Sequence, residues 1–263
     1  MKIAVSGKGG TGKTFLAGNL AARFARQGHR VIAIDADPSP NLALTLGLSL
    51  EVAEKIVPIA ENEQLIRLKT GTEYSGVFRL TFTVDDIIGK HAVPTPSGAN
   101  LMVMGTVRSM GSGCTCPAHS VVKALLRHLI VECNEVVILD MDAGIEHLGR
   151  GTAEHVDTLL VVSDANRKSL EVAKTICRMA KDSAIKKVGL VGNRITGPTQ
   201  EQIIRTFAEK NGISVFAMIP YDKGISDNGI SGSPIDEEHS AAICEISHLT
   251  ASLESGSQPE KMN

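Results

Sequence analysis

Eight residues near the start, GKGGTGKT from Gly7 to Thr14, restrict the fold more than any other stretch of the chain. They satisfy G-x-x-x-x-G-K-[ST] and lie between a β-rich run, KIAVS at 2–6, and a helical run, TFLAGNLAARFARQG at 14–28, that stops on Gly28. Strand, glycine loop and helix in that order make a phosphate cradle. Glycines let the backbone bend with its N–H groups turned inward, and the helix adds its positive end. Lys13 is expected to bridge the β and γ phosphates while Thr14 offers its hydroxyl oxygen to Mg2+. ATP or ADP with Mg2+ is the cofactor this pattern implies.

The rest of the chain alternates in the same way. HRVIAIDAD at 29–37 reads as a buried strand, continuous in apolar residues as parallel strands covered on both faces are. NLMVMG, EVVILDMD, DTLLVVSD, KKVGLVGNR and SVFAMIP follow as further strands. Helices are expected between them at about 120–133, 168–181 and 199–211, with a last one from Ile235 to Leu253. The fold class is α/β, a doubly wound and mostly parallel sheet with helices on both faces. One domain is expected over 1–254, with an insertion of helix and loops at about 50–98 and a polar tail at 255–263.

Carboxylates fall where the loop needs them. Asp35 and Asp37 are two apart at the end of the second strand, so both can face the region beyond its carboxyl edge. Asp140 ends a hydrophobic strand, where an acid holds Mg2+. Asp35 then supports the magnesium shell. Asp142 shares a strand face with Asp140 and receives no role. A plain helix N-cap is the competing use of Asp37, which precedes a proline.

A second constellation is GSGCTCPAHS at 111–120. In an extended segment Cys114 and Cys116 face the same way and can present two sulfurs to one ion. A closed tetrahedral thiolate site needs four donors, and Cys133, Cys177 and Cys244 stand singly on expected buried helices, where cysteine packs as a small hydrophobe. A second copy of the chain is the simplest completion, giving an S4 site suited to Ni2+ or Zn2+. Exposed thiols or a redox pair are the competing uses of C-x-C. His119 and His128 are further candidate ligands.

Lys8 sits too early in the loop to fold back easily onto the same phosphates, which leaves a neighbour's within its reach. G-K-G-G-x-G-K-T resembles the deviant P-loop of the MinD, ParA, nitrogenase iron protein and CooC group. That resemblance implies a nucleotide-sandwich dimer in which Lys8 acts across the interface, with Gly7, Gly9, Gly10, Thr11 and Gly12 around the phosphates. Phe15 departs from the second threonine common in the group, which removes one contact to the α-phosphate. DPSPN at 37–41 is similar to the first switch, whose aspartate orients the attacking water, here Asp37, and Gly144 fits the second. GNR at Asn193 and IPYD at Pro220, Tyr221 and Asp222 resemble the adenine-contacting loops.

The cysteine pair together with DMDAGIEHLGRGT at 140–152 is similar to CooC-type proteins, which assist nickel insertion into carbon monoxide dehydrogenase, and to relatives serving acetyl-CoA synthase. Glu146, His147 and Arg150 match the second motif and are placed only at the switch or dimer face. The resemblance implies a homodimeric ATPase that carries a metal and has one of those enzymes as client. Two other classes compete: a MinD or ParA positioning ATPase, and an ATP-dependent reductase like the nitrogenase iron protein. The net charge of -2, the lack of a polybasic run and the scarcity of aromatic residues, 3% with no Trp, argue against nucleic acid and against a basic membrane helix. Five cysteines, an odd number, and no apolar start long enough for a signal peptide predict a cytoplasmic protein.

Overall fold

The structure, a computed structural model, describes residues 1–37, 41–74, 77–79, 81–105, 117–144, 150–183, 185–231 and 239–256. The first half runs β1 (Lys2–Gly7), α1 (Lys13–Arg26), β2 (Val31–Asp35), α2 (Leu42–Thr45), α3 (Leu50–Ala53), α4 (Glu63–Thr70), α5 (Asp85–His91), β3 (Val93–Pro94) and β4 (Asn100–Val103). Next come α6 (Pro117–Val131), β5 (Val136–Asp140), α7 (Arg150–Ala153), β6 (Thr158–Ser163) and α8 (Arg167–Asp182). The chain continues through β7 (Lys187–Ile195), α9 (Pro198–Lys210), β8 (Ser214–Pro220), α10 (Lys223–Ser231) and α11 (Ala241–Ser255).

One eight-stranded sheet in the order β3-β4-β2-β5-β1-β6-β7-β8 carries the fold. Every pair is parallel except β3 with β4. The continuous apolar strands follow from burial on both faces. Ile32, Ile34, Val137 and Leu139 enter the core beneath α6 and α8, whereas Val31, Ala33, Val136 and Ile138 enter the opposite core with Leu16, Leu20 and Phe24 of α1 and Ile246 of α11. The strand order turns at β1, whose neighbours are β5 and β6, so the crevice of this doubly wound sheet opens directly above Gly7.

Residues 50–98 pack beside the sheet as short helices and loops, and they also supply β3, an antiparallel edge strand that pairs Val93 with Leu101. A short 3-10 turn at Ile59–Glu61 leans on α6, and the Ala60 N–H donates to Met104 O just past β4 (2.9 Å).

The last helix starts later than its sequence suggested. Ser240 has extended dihedrals and its hydroxyl accepts the Ile243 N–H, so α11 begins at Ala241, and 235–238 lie outside the described residues. Two cysteines also depart from expectation. Cys133 lies beyond α6, which ends where both Glu132 and Cys133 N–H turn back to His128 O, and it is only half-buried. Cys244 is exposed, because α11 buries the face carrying Ala242, Ile243, Ile246 and Leu249. Cys177 alone is buried in a helix, where the apolar surroundings push its thiol up to about 11.

Candidate functional site

The glycine loop is set by steric necessity. Gly7 has φ 152°, and a Cβ there would lie 2.3 Å from Val162 O on the neighbouring strand β6. Gly12 has φ 95°, and a Cβ there would meet Asn193 Nδ2 at 2.2 Å. Only glycine fits either position. Between them the loop closes on itself through Thr11, whose N–H and hydroxyl both donate to Lys8 O (3.3 and 2.8 Å). Gly12 is also the N-cap of α1 and has no side chain to satisfy the first-turn N–H groups, nor does that turn contain an acid. Those donors and the helix dipole are left for an anion.

Lys13 is buried at the first position of α1. Lys8 is partly exposed, and its ammonium touches only the Gly9 carbonyl, at 3.5 Å, among the described residues. The two lysines of the loop are therefore differently held, one inside the cradle and one free to leave it.

Asp35 and Asp140 stand side by side in register at the ends of β2 and β5, and both are buried. Asp35 is tied down: its Oδ2 accepts the Leu42 N–H (2.9 Å) and its Oδ1 the Asp37 N–H (3.2 Å). Burial raises its pKa against those two donors. Asp140 has no such support. Among the described residues neither of its oxygens has a partner at full hydrogen-bond geometry, and burial pushes its pKa up to about 7, with the nearby Thr14 hydroxyl and Lys13 opposing and Asp35 adding to the rise. An orphaned carboxylate beside a second acid and the Thr14 hydroxyl is the donor set a hard cation requires, and Mg2+ with its waters fits it.

Asp37 is half-buried beyond β2, and 38–40 lie outside the described residues. Asp142 accepts its neighbour's N–H, Ala143 to Oδ1 at 2.7 Å. Cys114 and Cys116, Glu146 and His147, and the side chain of Arg150 also lie outside what is described, although Gly105 and Pro117, which bracket the cysteine segment, do not.

The residues expected just after two strands lie at their carboxyl ends instead, Asn193 within β7 and Pro220 as the last residue of β8. Asn193 is buried beneath the cradle and donates its amide to Thr11 O (2.8 Å), bracing the loop. Pro220 and Tyr221 line a groove of about 720 Å3 with Ile195, Thr196, Met218 and Glu245. Asp222 does not line this groove and serves as a brace: its Oδ2 accepts the Ser240 hydroxyl (2.6 Å), linking the start of α10 to the cap of α11.

Two participants escaped sequence reasoning. Arg194 adopts a left-handed φ of 58° and donates through Nη1 to Gly10 O (3.0 Å), a second brace on the loop. Ser6, on the last turn of β1, places its hydroxyl 2.8 Å from Asp142 O and 3.0 Å from Gly144 O, and accepts the Gly144 N–H at 3.1 Å. The only available signal was its position directly before the first loop glycine.

A strand, a glycine loop with a buried lysine and two acids at adjacent strand ends define a nucleotide-binding domain of the P-loop class. Residues 2–235 match the CobQ/CobB/MinD/ParA nucleotide binding domain, and the chain belongs to that family. Within it, the chain is 42% identical to the carbon monoxide dehydrogenase accessory protein CooC of Rhodospirillum rubrum, over 86% of this chain and 85% of the relative. It is 41% identical to an uncharacterised ATP-binding protein of Methanocaldococcus jannaschii, over 92% and 93% of the two chains. A ParA family ATPase from Chlorobium tepidum TLS shares the fold with a TM-score of 0.70 at 18% identity, covering 96% and 98% of the two. The chain is thus a CooC homologue with a MinD/ParA-type nucleotide-binding fold.

Proposed function

We propose that this protein is a Mg-ATP-dependent ATPase that works as a homodimer in the cytoplasm, carries a metal ion between paired Cys114 and Cys116, and assists nickel insertion into carbon monoxide dehydrogenase or acetyl-CoA synthase. The observation that carries the nucleotide half is Asp140, a buried acid with no hydrogen-bond partner among the described residues, at the mouth of the phosphate loop. The cargo half is supported by the likeness to CooC and by the C-x-C pair, two soft donors that fall short of the four a closed site needs.

Each group has a task in this reading. Lys13 and the first-turn N–H groups of α1 would receive the β and γ phosphates, held in place by the Asn193 and Arg194 braces. Thr14, Asp35 and Asp140 would hold Mg2+, which neutralises charge on the phosphates when bound. Asp37 orients the attacking water, and Lys8 reaches the phosphates of the second copy. Pro220 and Tyr221 cover one side of the base groove. Asn193, whose amide is donated to Thr11, would offer its side-chain oxygen to the base edge. Among the described residues no helix is long and apolar enough to cross a membrane, and client and second copy are the partners proposed.

If dimer formation and ion capture are one event, each raises the affinity of the other, and hydrolysis loosens both. The test is metal analysis and solution mass of the anaerobically purified protein, with and without ATP. One nickel or zinc ion held by thiolates per two chains, its sulfur-to-metal charge-transfer band lost in the C114A/C116A variant, is expected. A strictly monomeric protein whose ion keeps its thiolate coordination in that variant would overturn the cargo half, and ATP binding insensitive to Mg2+ would overturn the nucleotide half.

A further inference from the structure

A cluster remote from the phosphate loop is not used by the reading above. His128, near the end of α6, faces Glu132 one turn on and Asp85 at the start of α5: its Nδ1 is 2.8 Å from Glu132 Oε2 and 3.5 Å from Asp85 Oδ1. The three donor atoms all lie within 4.8 Å of one another. The imidazole is largely buried, 14% exposed, while both carboxylates reach solvent.

Two carboxylates converge on a single ring nitrogen. One N–H can satisfy one of them, and Glu132 is at hydrogen-bond distance. Asp85, farther off on the same atom, is left with charge and no donor. Among the described residues neither acid has a lysine or arginine in salt-bridge range, whereas the adjacent Asp86 is paired with both Lys69 and Lys90. Two cations thus serve one aspartate while its neighbour and Glu132 share a lone imidazole. The sequence assigns positive charge around Asp86 and withholds it from the triad.

We infer that Asp85, His128 and Glu132 form a divalent metal site of the zinc type, separate from the cysteine pair, with three protein donors and a position open to water. Donors about 2.1 Å from a metal at tetrahedral angles stand roughly 3.4 Å apart, close to the spacing found here. Imidazole with two carboxylates selects a borderline first-row ion, Zn2+ or Ni2+, over Mg2+ or Ca2+. The ion takes the place of the Nδ1 proton, gives Asp85 its missing partner, and clamps α5, in the 50–98 insertion, onto α6, the helix that directly follows the cysteine segment.

The test uses the full chain as C114A/C116A, so that those thiols do not compete, stripped by chelator and titrated with Zn2+ alone against a chromophoric chelator. One ion per chain is expected, with affinity falling about tenfold or more in H128Q and in E132Q. Co2+ substituted at the site should show visible d–d bands without a thiolate charge-transfer band. Absence of stoichiometric Zn2+, or affinity unmoved by both substitutions, overturns the inference. A thiolate band does so as well, because it assigns the ion to Cys133, Cys177 or Cys244. The cobalt spectrum is read on the intact triad, so misfolding of a triad variant leaves the conclusion testable.

Discussion

The two ends of the same sheet treat buried charge in opposite ways. At the amino end, Lys2 is 7% exposed, and every polar atom it carries is answered: its ammonium donates to the carbonyls of Cys133 and Glu135 (2.7 and 3.0 Å), and its N–H to Asp157 Oδ2 (2.9 Å). Asp157 in turn takes the Lys186 ammonium (2.8 Å), and Glu135 the Arg30 guanidinium (2.9 Å). At the carboxyl end, a few strand residues away, Asp140 is buried with no well-formed hydrogen bond among the described residues, only the Thr14 hydroxyl and the Lys13 charge nearby. Both ends belong to one rigid layer, so the difference is not one of packing quality. An acid left unanswered in an otherwise satisfied core costs stability, and it persists where the answering group arrives from outside.

The largest expected effect comes from the other unanswered charge at that end. Lys8→Ala should retain nucleotide and lose turnover by about 10²–10³-fold, the scale of a donor that acts on transition-state charge. Steady-state phosphate release beside equilibrium ATP binding checks this, and unchanged turnover would place Lys8 with the structural charges of the amino end.

Removing charge from each end should shift stability in opposite directions. Lys2→Ala strands two backbone carbonyls and should cost about 1–3 kcal/mol in urea unfolding, with ATP hydrolysis unchanged. Asp140→Asn should stabilise the protein free of nucleotide and Mg2+ at pH 8 by something on the order of 1–3 kcal/mol, and abolish the Mg2+ dependence of ATP binding. A destabilised Asp140→Asn protein would end the contrast.

The pH dependence sharpens the same point. The Asp140 pKa is raised in the fold, from an ordinary 3.8 to about 7, so the protonated form is the one the fold favours. Its contribution is fully present below pH 3.8 and lost as pH rises through about 7. Without nucleotide, the stability difference between the native protein and Asp140→Asn should therefore widen from pH 6 to pH 8, read from paired melting curves, and Mg-ATP should close it.

The smallest effect belongs to Asp86, where hydrogen bonds from Lys69 and Lys90 hold the pKa down at about 2. This contribution has the reverse sense: present above pH 3.8 and lost as pH falls toward 2. Asp86→Asn should melt with the native protein at pH 2 and only slightly below it at pH 6, as an exposed pair does.

The strands were legible because their apolar runs and the acids ending them lie in local sequence. GKGGTGKT and the terminal Asp35 and Asp140 mark the cradle by local sequence alone. What resisted reading depends on contacts between distant segments. That Gly12 leaves room for the Asn193 amide involves residues 181 apart, and the left-handed turn at Arg194 has no local signal, since arginine rarely adopts it. The outward setting of Cys244 follows from the rotational phase of α11, which its cap at Ser240 fixes and which an apolar count over 235–253 blurs. The edge strand Val93–Pro94 is two residues long and contains a proline, too short for periodicity to find.

Ser6 shows how the loop and the segment after β5 are coupled. Its hydroxyl has a single proton and two carbonyls within reach, Asp142 O at 2.8 Å and Gly144 O at 3.0 Å. Should Gly144 swing away, it takes its N–H from the Ser6 oxygen as well, yet the Ser6 proton still has Asp142 to bind, so departure strands no hydroxyl. A latch of this kind releases at small expense and re-engages without searching, because one of its two catches stays closed throughout.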